Sequence, residues 1–155
     1  MGFLLNNDSA LAIKGYSVLK PLKNGLVVSC QVPDDTAINT PEFIAAQALT
    51  VLQAGAIGIR AQGVSNVRAI SLATNVPIIG LVKRYESSSP IYITPCVSDV
   101  VELERAGAQI VAVDATDRTR PGGQSFADFL IQVRLESDVV LLADVASLES
   151  ALIVE

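Results

Sequence analysis

Apolar, mostly β-branched runs recur along the chain; each ends in a polar or charged side chain, and a helical pattern follows. Five stand out, over residues 26–31, 57–60, 77–83, 110–114 and 139–144, ending respectively at Gln31, Arg60, Lys83, Asp114 and Asp144. Near-continuous Val/Ile/Leu runs mark parallel strands covered on both faces, whereas a half-solvated sheet alternates apolar with polar. Thr40-Pro41-Glu42 places an N-cap, a first-turn proline and an acid at the positive end of a helix dipole. That helix is expected to run to Gly55, a C-terminal glycine. Further helices are expected over 64–74, from Pro95 to Gly107, over 126–135, and from Ser147 onward.

Strands alternating with helices imply right-handed crossovers and a parallel sheet, either a (β/α) barrel or an open doubly wound sheet. One internal echo supports repeated βα units. Gln53-Ala54-Gly55-Ala56-Ile57-Gly58-Ile59-Arg60 matches Arg105-Ala106-Gly107-Ala108-Gln109-Ile110-Val111-Ala112 in its order of helix end, glycine and strand. Residues 1–20 read as a weakly patterned N-terminal extension and 21–155 as the barrel-type domain. Residues 85–90 are too polar for a core, residues 91–94 read as a short extended piece, and 117–123 as a Gly/Pro loop. In a barrel, the polar residues that end the strands gather on one rim, where such folds carry their chemistry.

Composition narrows the function. Half of the residues are hydrophobic and 17% charged, which fits a packed α/β domain. The net charge of −5, with no cluster of Lys or Arg on an expected face, argues against nucleic-acid binding. No apolar run reaches the length of a membrane span. Two cysteines, Cys30 and Cys96, lie in or beside expected core elements without a CxxC pair, which points to buried thiols in a reducing cytoplasm. The first eight residues lack a signal-peptide pattern, and Asn6 breaks the myristoylation pattern. No GxGxxG or GxxxxGK[ST] follows the first strand.

The chain contains no histidine. Ser-His-Asp and Cys-His catalysis are therefore excluded, and so are imidazole metal sites. Acid–base work falls to Lys, Asp, Glu, Tyr or Cys. Lys83 ends an apolar strand, where desolvation and the neighbouring Arg84 would favour the neutral amine that acts as a base; the alternative is a lysine that snorkels to solvent. Arg60 has the fork for a carboxylate, phosphate or sugar oxygen, or else pairs with Asp114 or Asp144. Gln31 orients a substrate hydroxyl or caps strand hydrogen bonds. Asp114 and Asp144 are oxygen ligands of the kind magnesium takes, but two isolated aspartates make a weak set and no metal is expected. Arg118 and Arg120 form either an anion clamp or, the simpler reading, part of a solvated loop.

Taken together, Val28-Ser29-Cys30-Gln31, Gly58-Ile59-Arg60-Ala61-Gln62-Gly63, residues 77–84, Ile93-Thr94-Pro95, Asp114-Ala115-Thr116 with Arg118 and Arg120-Pro121, and Leu142-Ala143-Asp144 resemble the bacterial N-acetylmannosamine-6-phosphate 2-epimerases. The order and spacing match from about residue 20 to the C-terminus. The resemblance implies a (β/α)8 barrel of TIM type, of which this chain supplies about the first five βα units. It also implies removal of the C2 proton of the open-chain sugar and its return to the other face, without a cofactor. On that reading Lys83 matches the catalytic lysine, Gln31, Arg60 and Asp144 match substrate-holding positions, and Asp114 has a supporting role.

Members of that family run well past 200 residues. Their later strand bearing a catalytic glutamate and their phosphate-gripping loops have no counterpart here, and Gly122-Gly123 stands where they tend to have Asp-Gly. The chain is therefore expected to be truncated relative to the family. A small sugar phosphate is the expected partner, together with other copies of the chain; nucleic acid and membrane are not. Two other classes fit the residues: a catalytically inactive barrel fragment whose open edge is buried by self-association or a partner, and a different sugar-phosphate barrel enzyme, such as one acting on a pentulose phosphate.

Overall fold

A computed structural model of the chain describes residues 13–153. Residues 13–19 are helical and lead into a 3-10 turn, Lys20–Leu22. The alternating elements are then β1 (Val27–Cys30), α1 (Pro41–Gln53), β2 (Gly58–Gln62), α2 (Val64–Ala73), β3 (Ile78–Leu81), α3 (Val97–Ala106), β4 (Ile110–Asp114), α4 (Phe126–Glu136), β5 (Val140–Asp144) and α5 (Leu148–Ile153). All four strand pairings are parallel, and the sheet order is β1-β2-β3-β4-β5. A doubly wound open sheet reverses its strand order at a switch point. Strictly sequential order with a helix after each strand is the arrangement of a (β/α)8 TIM-type barrel. Of the two sheet types open from the sequence, the barrel is realised, through five of its βα units.

Two apolar layers hold the sheet. The larger packs helices against one face and includes Cys30, Ile44, Ile59, Ile70, Val100, Leu103, Val113 and Phe129. The smaller lies on the inner face, around Ile79, Leu81, Ile110 and Ala112. Of the expected N-terminal extension, residues 1–12 lie outside the described residues. Val18 and Leu22 pack against the inner cluster, and Leu22 lies over Gly58 at the start of β2. The N-terminal helical segment thus covers the barrel end opposite the strands' C-termini.

The internal echo has a structural cause. Gly55 (φ 104°) and Gly107 (φ 107°) both adopt the left-handed conformation that side chains disfavour. The N–H of Gly55 bonds the Leu52 carbonyl and that of Ala56 the Val51 carbonyl; Gly107 and Ala108 repeat this with Glu104 and Leu103. These paired bonds are the Schellman closure of a helix end. Thr40 caps α1 as expected, accepting from the Phe43 N–H at 3.2 Å. The third helix begins at Val97 and not at Pro95, because Thr94 takes a positive φ of 45° and its hydroxyl donates to the Ala112 carbonyl. Among the described residues, no helix is long and apolar enough to cross a membrane.

Candidate functional site

Strand register places the five strand-ending residues on one face. Ser29 pairs with Arg60, Arg60 with Ile79, Ile79 with Ile110, and Ile110 with Val140. Side chains two residues apart on a strand share a face, so Gln31, Lys83, Asp114 and Asp144 lie on the same inner side as Arg60, toward the strands' C-terminal ends. The sequence pattern that ends each run in a polar residue therefore builds one polar rim above the small inner apolar layer.

The rim divides into three groups. Arg60 donates to Asp144 at 2.6 Å, which realises one of its two candidate ion pairs. Asp114 is engaged by its own loop: one oxygen accepts from the Thr116 N–H and hydroxyl, and the other from Arg118 at 2.5 Å. Gln31 and Lys83 line a cavity of about 390 Å³ together with Val32, Pro33, Asp34, Gln62 and Tyr85. Gln31 donates to the Ser29 hydroxyl at 2.8 Å.

Lys83 is exposed, so the desolvation expected from its apolar strand is not present among the described residues. The Arg84 guanidinium is bound by Asp99 at 2.5 Å and Glu86 at 3.5 Å. Burial raises the Asp99 carboxyl above its ordinary range, against the opposing pull of the Cys96 N–H and Arg84. Lys83 is fixed through its backbone instead. It bridges Ile93, while the Arg84 N–H bonds the Tyr92 carbonyl and the Thr94 N–H bonds the Val82 carbonyl. The loop after β3 is thus a short returning hairpin, and Tyr85 stacks on Tyr92 within it.

The loop reading of Arg120 requires correction. Its side chain is fully buried, with the guanidinium 3.7 Å from the centre of the Phe129 ring. It donates to the carbonyls of Thr94, Pro95 and Asp114, and ties the loops after β3 and β4 together. Burial lowers its pKa to about 10, so it remains a cation at neutral pH. Arg118 is half exposed and serves Asp114. Sequence reading treated the pair alike because both sit in a Gly/Pro stretch; the distinguishing signal was Phe126 and Phe129 just downstream.

Two further residues were passed over. Gln62 is buried and donates to Asp34 at 2.7 Å. Asp34 also accepts from Asn39, and Asn66 bonds both Asn39 and the Gln62 carbonyl. This network pins the loop after β1 to the end of β2. Its members are scattered through polar loop sequence, so no local pattern marks them. Cys30 is buried and Cys96 half-buried, both as free thiols, and burial raises the pKa of each.

The chain is similar to known proteins over most of its length. A family described as "Putative N-acetylmannosamine-6-phosphate epimerase" matches residues 44–155. A protein of Listeria monocytogenes named "Putative N-acetylmannosamine-6-phosphate 2-epimerase" is 40% identical over 136 residues, covering 87% of this chain and 57% of that protein. One of Glaesserella parasuis with the same name is 46% identical over 104 residues, 67% of this chain and 45% of that protein. Among solved structures, the N-acetylmannosamine-6-phosphate 2-epimerase from Clostridium perfringens superposes with a TM-score of 0.79 at 36% identity, over 85% of this chain and 57% of that one. The chain thus spans about half the length of the curated relatives it matches. With matches of this extent in both sequence and fold, the chain belongs to the N-acetylmannosamine-6-phosphate epimerase family.

Proposed function

We propose that this chain takes part in converting N-acetylmannosamine 6-phosphate to N-acetylglucosamine 6-phosphate, with Lys83 as the base that removes the C2 proton. The observation that carries this reading is the cavity at the C-terminal end of β3. There Lys83 and Gln31 open onto one space, in the place where barrels of this type hold substrate. C2 of the open-chain sugar adjoins the C1 aldehyde, so the electron pair left by deprotonation delocalises as an enolate. The Lys83 amine takes the proton, and return of a proton to the opposite face gives the epimer. Gln31 holds a sugar hydroxyl, and Arg60 and Asp144 hold the chain of the sugar. Asp114, already bound by Arg118 and Thr116, supports the rim from below.

The reaction belongs in the cytoplasm, where both free thiols stay reduced. Its test is proton NMR of N-acetylmannosamine 6-phosphate with the chain, following the anomeric signals of the product epimer. Appearance of those signals supports the reading; a folded sample that leaves the substrate unchanged at high enzyme concentration contradicts it.

One observation favours a second reading, in which the chain associates with other copies. Among the described residues β5 pairs only with β4, and Leu142, Val145 and Leu148 are exposed there. A bare parallel edge with apolar flanks invites another chain. A monomer by light scattering across micromolar concentrations would rule this out; a dimer or larger species supports it.

A further inference from the structure

We infer that the cavity beside Lys83 holds the acetamido group on C2, with Gln62 accepting its amide N–H and Tyr85 covering its methyl. This rests on the epimerase reading above and names what makes that site selective. A base must come within about 3 Å of the proton it removes, and the acetamido nitrogen is bonded to the very carbon that loses it. The substituent therefore has to lie in space that Lys83 itself borders.

That space has the right walls. Val32, Pro33 and Tyr85 make its apolar side, while Asp34, Gln62 and Gln31 make its polar side. Tyr85 has one ring face fixed by parallel stacking on Tyr92, with centroids 5.4 Å apart and planes 8° from coincidence. It is 85% exposed, which leaves area for a methyl group to cover. Asp34, as a carboxylate, can only accept, so the Gln62 group 2.7 Å away must be its NH2. That fixes the amide's orientation and leaves Oε1 as an acceptor with no donor among the described residues. That oxygen is free to accept a donor brought by a ligand. Gln31 has a comparable free oxygen, but a single short-range bond to Ser29 tethers it. Gln62 is held at its side chain by Asp34 and at its carbonyl by Asn66.

The test measures affinities of the chain for N-acetylmannosamine 6-phosphate and mannose 6-phosphate by calorimetric titration, beside Gln62→Leu and Tyr85→Ala. Saturation-transfer NMR with irradiation of aromatic protons accompanies each titration. The wild-type chain should prefer the acetamido sugar. Each variant should weaken that sugar by about three- to tenfold and leave mannose 6-phosphate within about twofold. The acetyl methyl should receive the strongest saturation, and lose it in Tyr85→Ala. Tyr85 is exposed, so its variant reports even if Gln62→Leu unfolds. Equal binding of the two sugars, or variants that leave the preference unchanged or weaken both sugars alike, would overturn the acetamido assignment alone. Binding of neither sugar would overturn the epimerase reading and this inference with it.

Discussion

Arg60 on β2 and Asp144 on β5 form an ion pair of 2.6 Å across the inner face of the sheet, joining residues 84 apart in sequence. Two strands lie between them, so the pair braces the curvature of the sheet and not a local turn. Both side chains are about one-third exposed, at 31% and 30%. We expect a double-mutant cycle with Arg60→Ala and Asp144→Ala to give a coupling of about 1–2 kcal/mol, between the values of exposed and buried pairs. Urea denaturation of the four proteins measures it. A coupling near zero would show that the two side chains do not brace one another.

Arg120 offers a larger effect. Removing its guanidinium leaves the Thr94, Pro95 and Asp114 carbonyls without their donor and opens space beside Phe129. Arg120→Ala should cost about 3–5 kcal/mol, the scale of a disrupted buried charged network. Arg120→Lys should recover little of it, because a point ammonium cannot span three acceptors or stack on the ring as the planar fork does. Equal stability of the Lys variant and wild type in urea would refute the fork geometry.

The two Schellman glycines should differ in tolerance. A Cβ at Gly55 meets nothing within 4 Å, whereas at Gly107 it would lie 2.1 Å from the Ser71 hydroxyl oxygen and 2.6 Å from its Cβ. Gly55→Ala carries only the left-handed penalty, about 1–2 kcal/mol. Gly107→Ala adds an overpacking cost of about 1–3 kcal/mol. Thermal or urea unfolding ranks them, and a Gly55→Ala protein less stable than Gly107→Ala would contradict the packing of α2 against this turn.

Asp99 gives a pH signature. Burial raises its carboxyl above the ordinary aspartate value. Between those two values the folded chain keeps a proton that the unfolded chain has lost, so this group's contribution is fully present below the ordinary value and is lost as pH rises through the folded one. The stability of wild type relative to Asp99→Asn should therefore increase as pH falls from 7 to 4. Urea midpoints at the two pH values decide it; a decrease on acidification would mean that Arg84 overrides burial.

The strands were the most legible part of the fold. β4 (Ile110–Asp114) matches its sequence pattern at both ends, and the other strands match to within one or two residues, because burial on both faces writes continuous apolar runs. β2 continues to Gln62 past the polar Arg60, since Arg60 points to the inner face while Ile59 and Ala61 face the helices. The rim residues were legible for the same reason: parity along a strand sets their common face. Long-range contacts were not. Arg120 is buried by Phe129 and by carbonyls from the loop after β3, and Asp34 meets Gln62 across 28 positions. The exposure of Lys83 was also hidden, because a strand pattern implies a covered end, and coverage depends on what stands opposite in the barrel.

The most direct test of Lys83 as the base is exchange at C2. N-acetylmannosamine 6-phosphate is incubated in D₂O with the chain and, separately, with Lys83→Ala. We expect loss of the C2 proton signal and deuterium in the epimer with the wild-type chain, and no exchange with the variant. Exchange that persists in Lys83→Ala, or a folded wild-type chain that exchanges nothing, would contradict the assignment of this lysine.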